Sequence, residues 1–188
     1  MVDREPPSIA CPAPVKLECT GATTAYTMSA TCNDNCMTCN ASCGSGPYAL
    51  GTSPVACNAI DTAGNKSSCA TSVQVVDTTA PTLTASASPA VLYPPNHKMV
   101  PIALKTATSD VCDAHPTVSC TATSNEPVTG GGSGSTYYDI LWKDGQLFLR
   151  SERAGTLNDR VYTITCTSTD ASGNATTAST QVVVPHDQ

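Results

Sequence analysis

One stretch of this chain occurs twice, and that repetition constrains the fold more than any other feature. Asp61-Thr62-Ala63-Gly64-Asn65 returns 109 residues later as Asp170-Ala171-Ser172-Gly173-Asn174. The match extends in both directions. Cys57 and Cys166 each lie four residues before their Asp, and Val73 and Val182 each lie twelve after it. Further upstream, Asp3 precedes Pro7 by four residues and Asp77 precedes Pro81 by four. A self-similar chain is built from units that fold alike. The units run over about residues 3–77 and 77–187, so two domains are expected, 1–77 and 78–188. Asp187 reads as the opening of a further unit, which makes the chain a slice of a tandem array.

Each unit ends in a short alternating run, Ser72-Val73-Gln74-Val75-Val76 in one and Thr180-Gln181-Val182-Val183-Val184 in the other. Arg160 to Cys166 alternates in the same way and reads as the strand before. The Asp-x-x-Gly-Asn segment between such strands is a hairpin turn, because Gly supplies φ > 0 and Asp can bond the backbone that follows it. Thr and Ser number 28 and 19 of 188 residues, which favours strands and excludes a helical bundle. The expectation is an all-β chain with two antiparallel sheets in each unit. No apolar run is long enough to span a membrane. A formal charge of −6 argues against a nucleic-acid partner.

Eleven cysteines in a chain of this size point to an oxidising compartment. No secretory h-region stands at the N-terminus, so the segment reads as part of a longer secreted protein. Cys11 aligns with Ala85 and Cys69 with Ala178, so the first unit has both cysteines and the second has neither. Joint absence is what a bonded pair would show, and a Cys11–Cys69 bridge is expected. Cys32, Cys36, Cys39 and Cys43 could in principle hold zinc or an iron–sulfur cluster. Their spacing fits neither well. With Cys19 and Cys57 they make six cysteines, read as three bridges in one of 15 connectivities. In the second unit either Cys112–Cys120 or Cys120–Cys166 can form, leaving one thiol over.

The Asp-x-x-Gly-Asn turn, Ile9-x-Cys11-Pro12 and Cys69-x-x-x-Val73-x-Val75-x-Asp77 together resemble the hyalin repeat (HYR) domain over residues 5–77. That resemblance implies an extracellular immunoglobulin-like β-sandwich. Residues 78–187 keep the closing half of the pattern and add Tyr93-Pro94-Pro95-Asn96-His97-Lys98-Met99-Val100, Ser124-Asn125-Glu126-Pro127 and Glu152-Arg153. They resemble the immunoglobulin-like modules of large bacterial cell-surface proteins, with a Gly-rich Gly130–Ser135 loop where those modules often carry Asp. The fold expected is therefore two tandem immunoglobulin-like β-sandwich domains, disulfide-stapled.

In such a sandwich the chain start, the loop between the second and third strands and the last hairpin turn share one end. Those places hold Asp3, Asp34 and Asp61 with Asn65 in the first unit, and Asp77, Asp110 with Asp113, and Asp170 with Asn174 in the second. Asp and Asn are ordinary turn residues. Acid at the same three places in both units also fits calcium, which takes six to eight oxygen ligands. His97 lies on an extended segment after two prolines and reads as a surface hydrogen-bonding residue. Glu126 and Glu152 could form an acid pair, but Arg150 and Arg153 stand beside Glu152, so an ion pair is the reading taken. Asn40, Asn65 and Asn174 head Asn-x-Ser/Thr triplets.

No nucleophile elbow, zinc-protease helix or phosphate loop is present, and the three histidines stand far apart. The chain is read as a non-catalytic structural or adhesive module of the cell surface or a surface filament, extracellular and stiffened by calcium. Its partners would be protein or glycan, or copies of itself in a polymer. The alternative is a carbohydrate- or protein-binding accessory module of a secreted hydrolase, with Trp142, Tyr137 and Tyr138 as contacts.

Overall fold

A computed structural model describes residues 3–127, 138–155 and 158–186. Tyr137, the Gly130–Ser135 loop and Asp187 lie outside the described residues. Among the described residues there are thirteen strands and no helix, so none is long and apolar enough to cross a membrane. Contacts divide the chain into two units, Met1–Thr78 with Val111–Asp113, and Thr79–Asp110 with Ala114–Gln188.

Unit one contains β1 (Ser8–Ala10), β2 (Val15–Glu18), β3 (Thr31–Asn33), β4 (Cys39–Cys43), β5 (Gly51–Asp61) and β6 (Lys66–Val76). One sheet has the order β2-β6-β5-β4, with β2 parallel to β6, and the other is the pair β1-β3. The alternation of β5 turns Val55, Cys57, Ala59 and Asp61 inward and leaves the residues between them exposed. The core is small: Cys19, Met28, Tyr48, Val55, Val73 and Val75. A domain this short buries a limited fraction of its surface, so covalent bridges carry part of its stability.

Unit two contains β7 (Thr82–Ser88), β8 (Met99–Ser109), β9 (Thr117–Ser124), β10 (Ile140–Lys143), β11 (Gln146–Arg150), β12 (Arg160–Thr169) and β13 (Ala175–Val184). Its sheets have the orders β10-β11-β8-β7 and β13-β12-β9, the four-plus-three arrangement of a constant-type immunoglobulin sandwich. Ile102, Leu147 and Leu149 of the first sheet meet Tyr162, Ile164, Val182 and Val184 of the second in one core.

Five bridges form, and their pattern departs from the sequence expectation. Cys11 is bonded to Cys69, Cys32 to Cys39 and Cys43 to Cys57. Cys120 and Cys166 sit opposite each other on β9 and β12 and are bonded. Cys19 does not pair within its own stretch of sequence but with Cys112, because Val111–Asp113 packs with unit one. That removes one partner from the set of six. Cys36 is therefore free and exposed, and Cys166 takes its place among the ten bonded cysteines. Alkylation of the oxidised native chain, followed by peptide mapping, should modify Cys36 alone; label on Cys19 or Cys112 would contradict this connectivity.

Candidate metal centre and buried charge network

The repeated Asp-x-x-Gly-Asn segment builds the same clasp in each unit. After β5, the Asn65 backbone N–H donates to Asp61 Oδ1 and its side-chain amide to Asp61 Oδ2, both at 2.8 Å. After β12, Asn174 binds Asp170 through the same atoms at 2.8 and 2.9 Å. Gly64 and Gly173 take φ of 92° and 91°, a region glycine enters without a Cβ penalty. Burial pushes both carboxyls up, and the bonds from the Asn side chain and from successive backbone N–H groups outweigh it, so each lies below the ordinary Asp value. A carboxyl depressed in the folded state stabilises above its unfolded value, about 4, and that stability is lost as pH falls through the folded value. Melting temperatures should thus be level from pH 5 to 7 and fall below about pH 4. Asp61→Asn should flatten the acid limb of unit one, as followed by calorimetry; an unchanged limb would contradict it.

In unit one the clasp joins two other acids. Asp3, Asp34 and Asp61 each offer a carboxylate oxygen, and these oxygens lie within 4.8 Å of one another. Asp3 precedes β1, Asp34 follows β3 and Asp61 ends β5. Asp34 Oδ1 accepts from the backbone N–H of Cys36 and of Met37, which fixes the turn. Asp3 Oδ1 accepts from the Glu5 N–H, while Asp3 Oδ2 is buried without a hydrogen-bond partner. Local desolvation, then the charges of Asp3, Asp34 and Glu5, push the nearby Cys36 thiol up from its ordinary value. Hard carboxylate oxygens at this density fit calcium.

The second acid set is not one unit's own. Asp77 and Asp113 belong to unit one, while Asp110 and Asp170 belong to unit two, where Asp170 makes the clasp with Asn174. The clasps also occupy the side-chain amides of Asn65 and Asn174, whereas Asn40 stands exposed on β4.

The motifs special to unit two converge on a buried charge network. Arg160 is fully buried and donates to Asp139 Oδ2 at 2.6 Å, to Ser124 Oγ and to the Glu152 carbonyl. Arg150 donates to Asp139 Oδ1 and to the carbonyl of His97. His97 Nδ1 lies 3.1 Å from Glu152 Oε2, so the residue bridges an exposed loop to a buried carboxylate. His97 holds a left-handed φ of 63°, fixed by its N–H donating to Ser151 O. Glu126 is not in an ion pair among the described residues. It is buried, its Oε2 accepts from the Ala154 N–H, and its Oε1 has no partner. Asn125 ties the same region to β12, accepting from Val161 N–H and donating to Asp159 O. Sequence reasoning missed Asp139, because nothing local to it announces an arginine 21 residues away. Of the aromatic residues singled out, Tyr138 and Trp142 are exposed on and beside β10.

No family model and no curated protein matches the chain. Among solved structures it is similar to protocadherin gamma B7 extracellular cadherin domains 1–4, at 13% identity and a TM-score of 0.40, covering 96% of this chain and 49% of that one. It is similar to protocadherin gamma B2 extracellular cadherin domains 3–6, at 12% identity and a TM-score of 0.37, covering 94% and 46%. For Drosophila N-cadherin EC1–4 the values are 16%, 0.34, 96% and 51%. The chain spans about half the length of these structures.

Proposed function

We propose that this chain is a non-catalytic extracellular module, structural or adhesive, of the kind used in series along a surface protein, and that calcium stiffens the acid pole of unit one. Residues 5–77 are taken as hyalin-repeat-like, and 78–187 as similar to the immunoglobulin-like modules of bacterial surface proteins. The observation that carries the calcium reading is the meeting of Asp3, Asp34 and Asp61, with Asp3 Oδ2 buried and unbonded. Carboxylates this close repel one another. Asp3, Asp34 and Asp61 would hold the ion, which would neutralise them and tie the chain start to two turns. Five bridges suit an extracellular setting, where disulfides persist. Partners would be a protein or glycan at a cell surface, or copies of the chain in a filament.

Amide hydrogen exchange tests this reading segment by segment. Millimolar calcium should slow exchange at residues 3–5, 33–37 and 61–65 together, by at least about tenfold. The clasp at 170–174, where Asp170 falls in no group of three acids among the described residues, should not respond. Equal exchange in calcium and in chelator at all four segments would refute the cation's role.

A further inference from the structure

Between Ser88, where β7 ends, and Met99, where β8 begins, the chain of unit two forms one wall of a groove of about 390 Å³. That volume lies in the range of small-ligand sites. Its lining is largely apolar, including Val91, Met99 and Pro101, and Tyr93, also in the lining, is 55% exposed. Three lining residues carry side-chain donors for which no hydrogen bond is seen among the described residues. They are the Tyr93 hydroxyl, the Lys98 ammonium, and the Asn96 amide, whose Oδ1 is taken by the Lys98 N–H. No Asp or Glu lines it, in a chain whose formal charge is −6.

We propose that this groove binds an acidic oligosaccharide, with the C–H face of a uronate ring on Tyr93 and its carboxylate on Lys98. The inference names a glycan as partner and so rests on the adhesive reading above, but not on calcium. An aromatic body with a polar tip suits a sugar, which is apolar on its ring faces and polar at its rim. The ammonium supplies a charge-assisted bond to a carboxylate, and Asn96 supplies an amide donor to a hydroxyl. A peptide strand suits the place less well. The edge of β8 left open where β7 stops pairing at Ala103 carries Pro101, which has no N–H to give.

The test is titration of the full chain, in chelator, with galacturonate tetrasaccharide, followed by nuclear magnetic resonance. Resonances of Tyr93, Asn96 and Lys98 should shift, and binding should weaken as salt rises. Tyr93→Ala and Lys98→Gln, both at exposed positions, should each weaken binding by at least about tenfold. The neutral galactose tetrasaccharide should bind more weakly by a similar factor. The proposal is overturned if the uronate does not bind at millimolar concentration, or if both variants bind it like the parent chain. It is equally overturned if a tetraglutamate peptide binds as tightly, since the groove would then take acidic peptide. Because chelator is present throughout, failure here leaves the calcium reading of unit one standing, and failure there leaves the groove standing.

Discussion

Replacing Asp139 by alanine should cost unit two about 3–5 kcal/mol, the penalty typical of stripping one partner from a buried ion pair. Arg160 has no exposed surface, and Asp139 is its only carboxylate partner within ion-pair distance among the described residues. With Asp139 gone, the guanidinium stays buried, stacked 4.8 Å over the Tyr162 ring and bonded only to a hydroxyl and a carbonyl. Arg150 loses its bond to Asp139 at the same moment and keeps Glu152 at 3.9 Å and the His97 carbonyl. Trp142 is the sole tryptophan and lies on β10, so its fluorescence reports unit two alone. Urea unfolding read at that signal should move its midpoint down by more than about 1 M at an ordinary slope. A midpoint within a few tenths of the parent's would mean that the network is not what holds this end of the sandwich closed.

Replacing Cys11 and Cys69 together by alanine should cost unit one roughly 4 kcal/mol in the chain-entropy view of disulfides. The bridge joins residues separated by 58 in sequence, and it ties the segment after β1 to β6. Unit one has a core of six buried residues, so little else compensates for the loss. Calorimetry should show its transition falling by well over 10 °C, given about 4–8 °C per kcal/mol for a domain of this size. The transition of unit two should stay in place. A fall of one or two degrees would show that Cys32–Cys39, Cys43–Cys57 and Cys19–Cys112 already hold the unit.

The two sandwiches were legible because strand alternation and turn chemistry are local, and because the chain states them twice. The Asp–Asn clasp repeats to within about 0.1 Å in its hydrogen bonds, which is why the five-residue motif stood out. Cys11–Cys69 could be read from the joint absence of both cysteines in unit two. The edge-strand bridge, which both units have, was read only in part: Cys120–Cys166 was one of two pairings open in unit two, and Cys43–Cys57 lay among fifteen connectivities. Cys43–Cys57 and Cys120–Cys166 each tie an edge strand to its neighbour, β4 to β5 and β9 to β12. Their partners are 14 and 46 residues apart, because β10 and β11 are inserted between the bonded strands of unit two. A fixed offset cannot align across such an insertion. Cys19–Cys112 was hidden for a related reason: Val111–Asp113 lies in the sequence of one unit and packs with the other.

Part of the candidate site was legible as well. Three acids at the chain start, an interstrand turn and the last hairpin announced the pole of unit one. The second set draws its acids from both units, since membership of Asp77 and Asp113 depends on packing rather than on order along the chain. The roles of the Pro-Pro-Asn-His and Ser-Asn-Glu-Pro motifs were also illegible. They act through contacts such as His97 with Glu152 and Ser124 with Arg160, which only the tertiary fold brings together.

The most direct test of the central claim is calcium binding by isothermal titration calorimetry, on the parent chain and on Asp34→Asn. Asparagine keeps the Oδ1 that accepts from Cys36 and Met37, so the turn survives while one carboxylate charge is lost. The parent should bind calcium at the pole with a dissociation constant of about 10⁻⁴–10⁻³ M, the range of extracellular modules. The variant should bind at least about tenfold more weakly. Calcium binding that is absent from the parent, or unaltered in Asp34→Asn, would contradict the account, leaving Asp3, Asp34 and Asp61 as turn residues only.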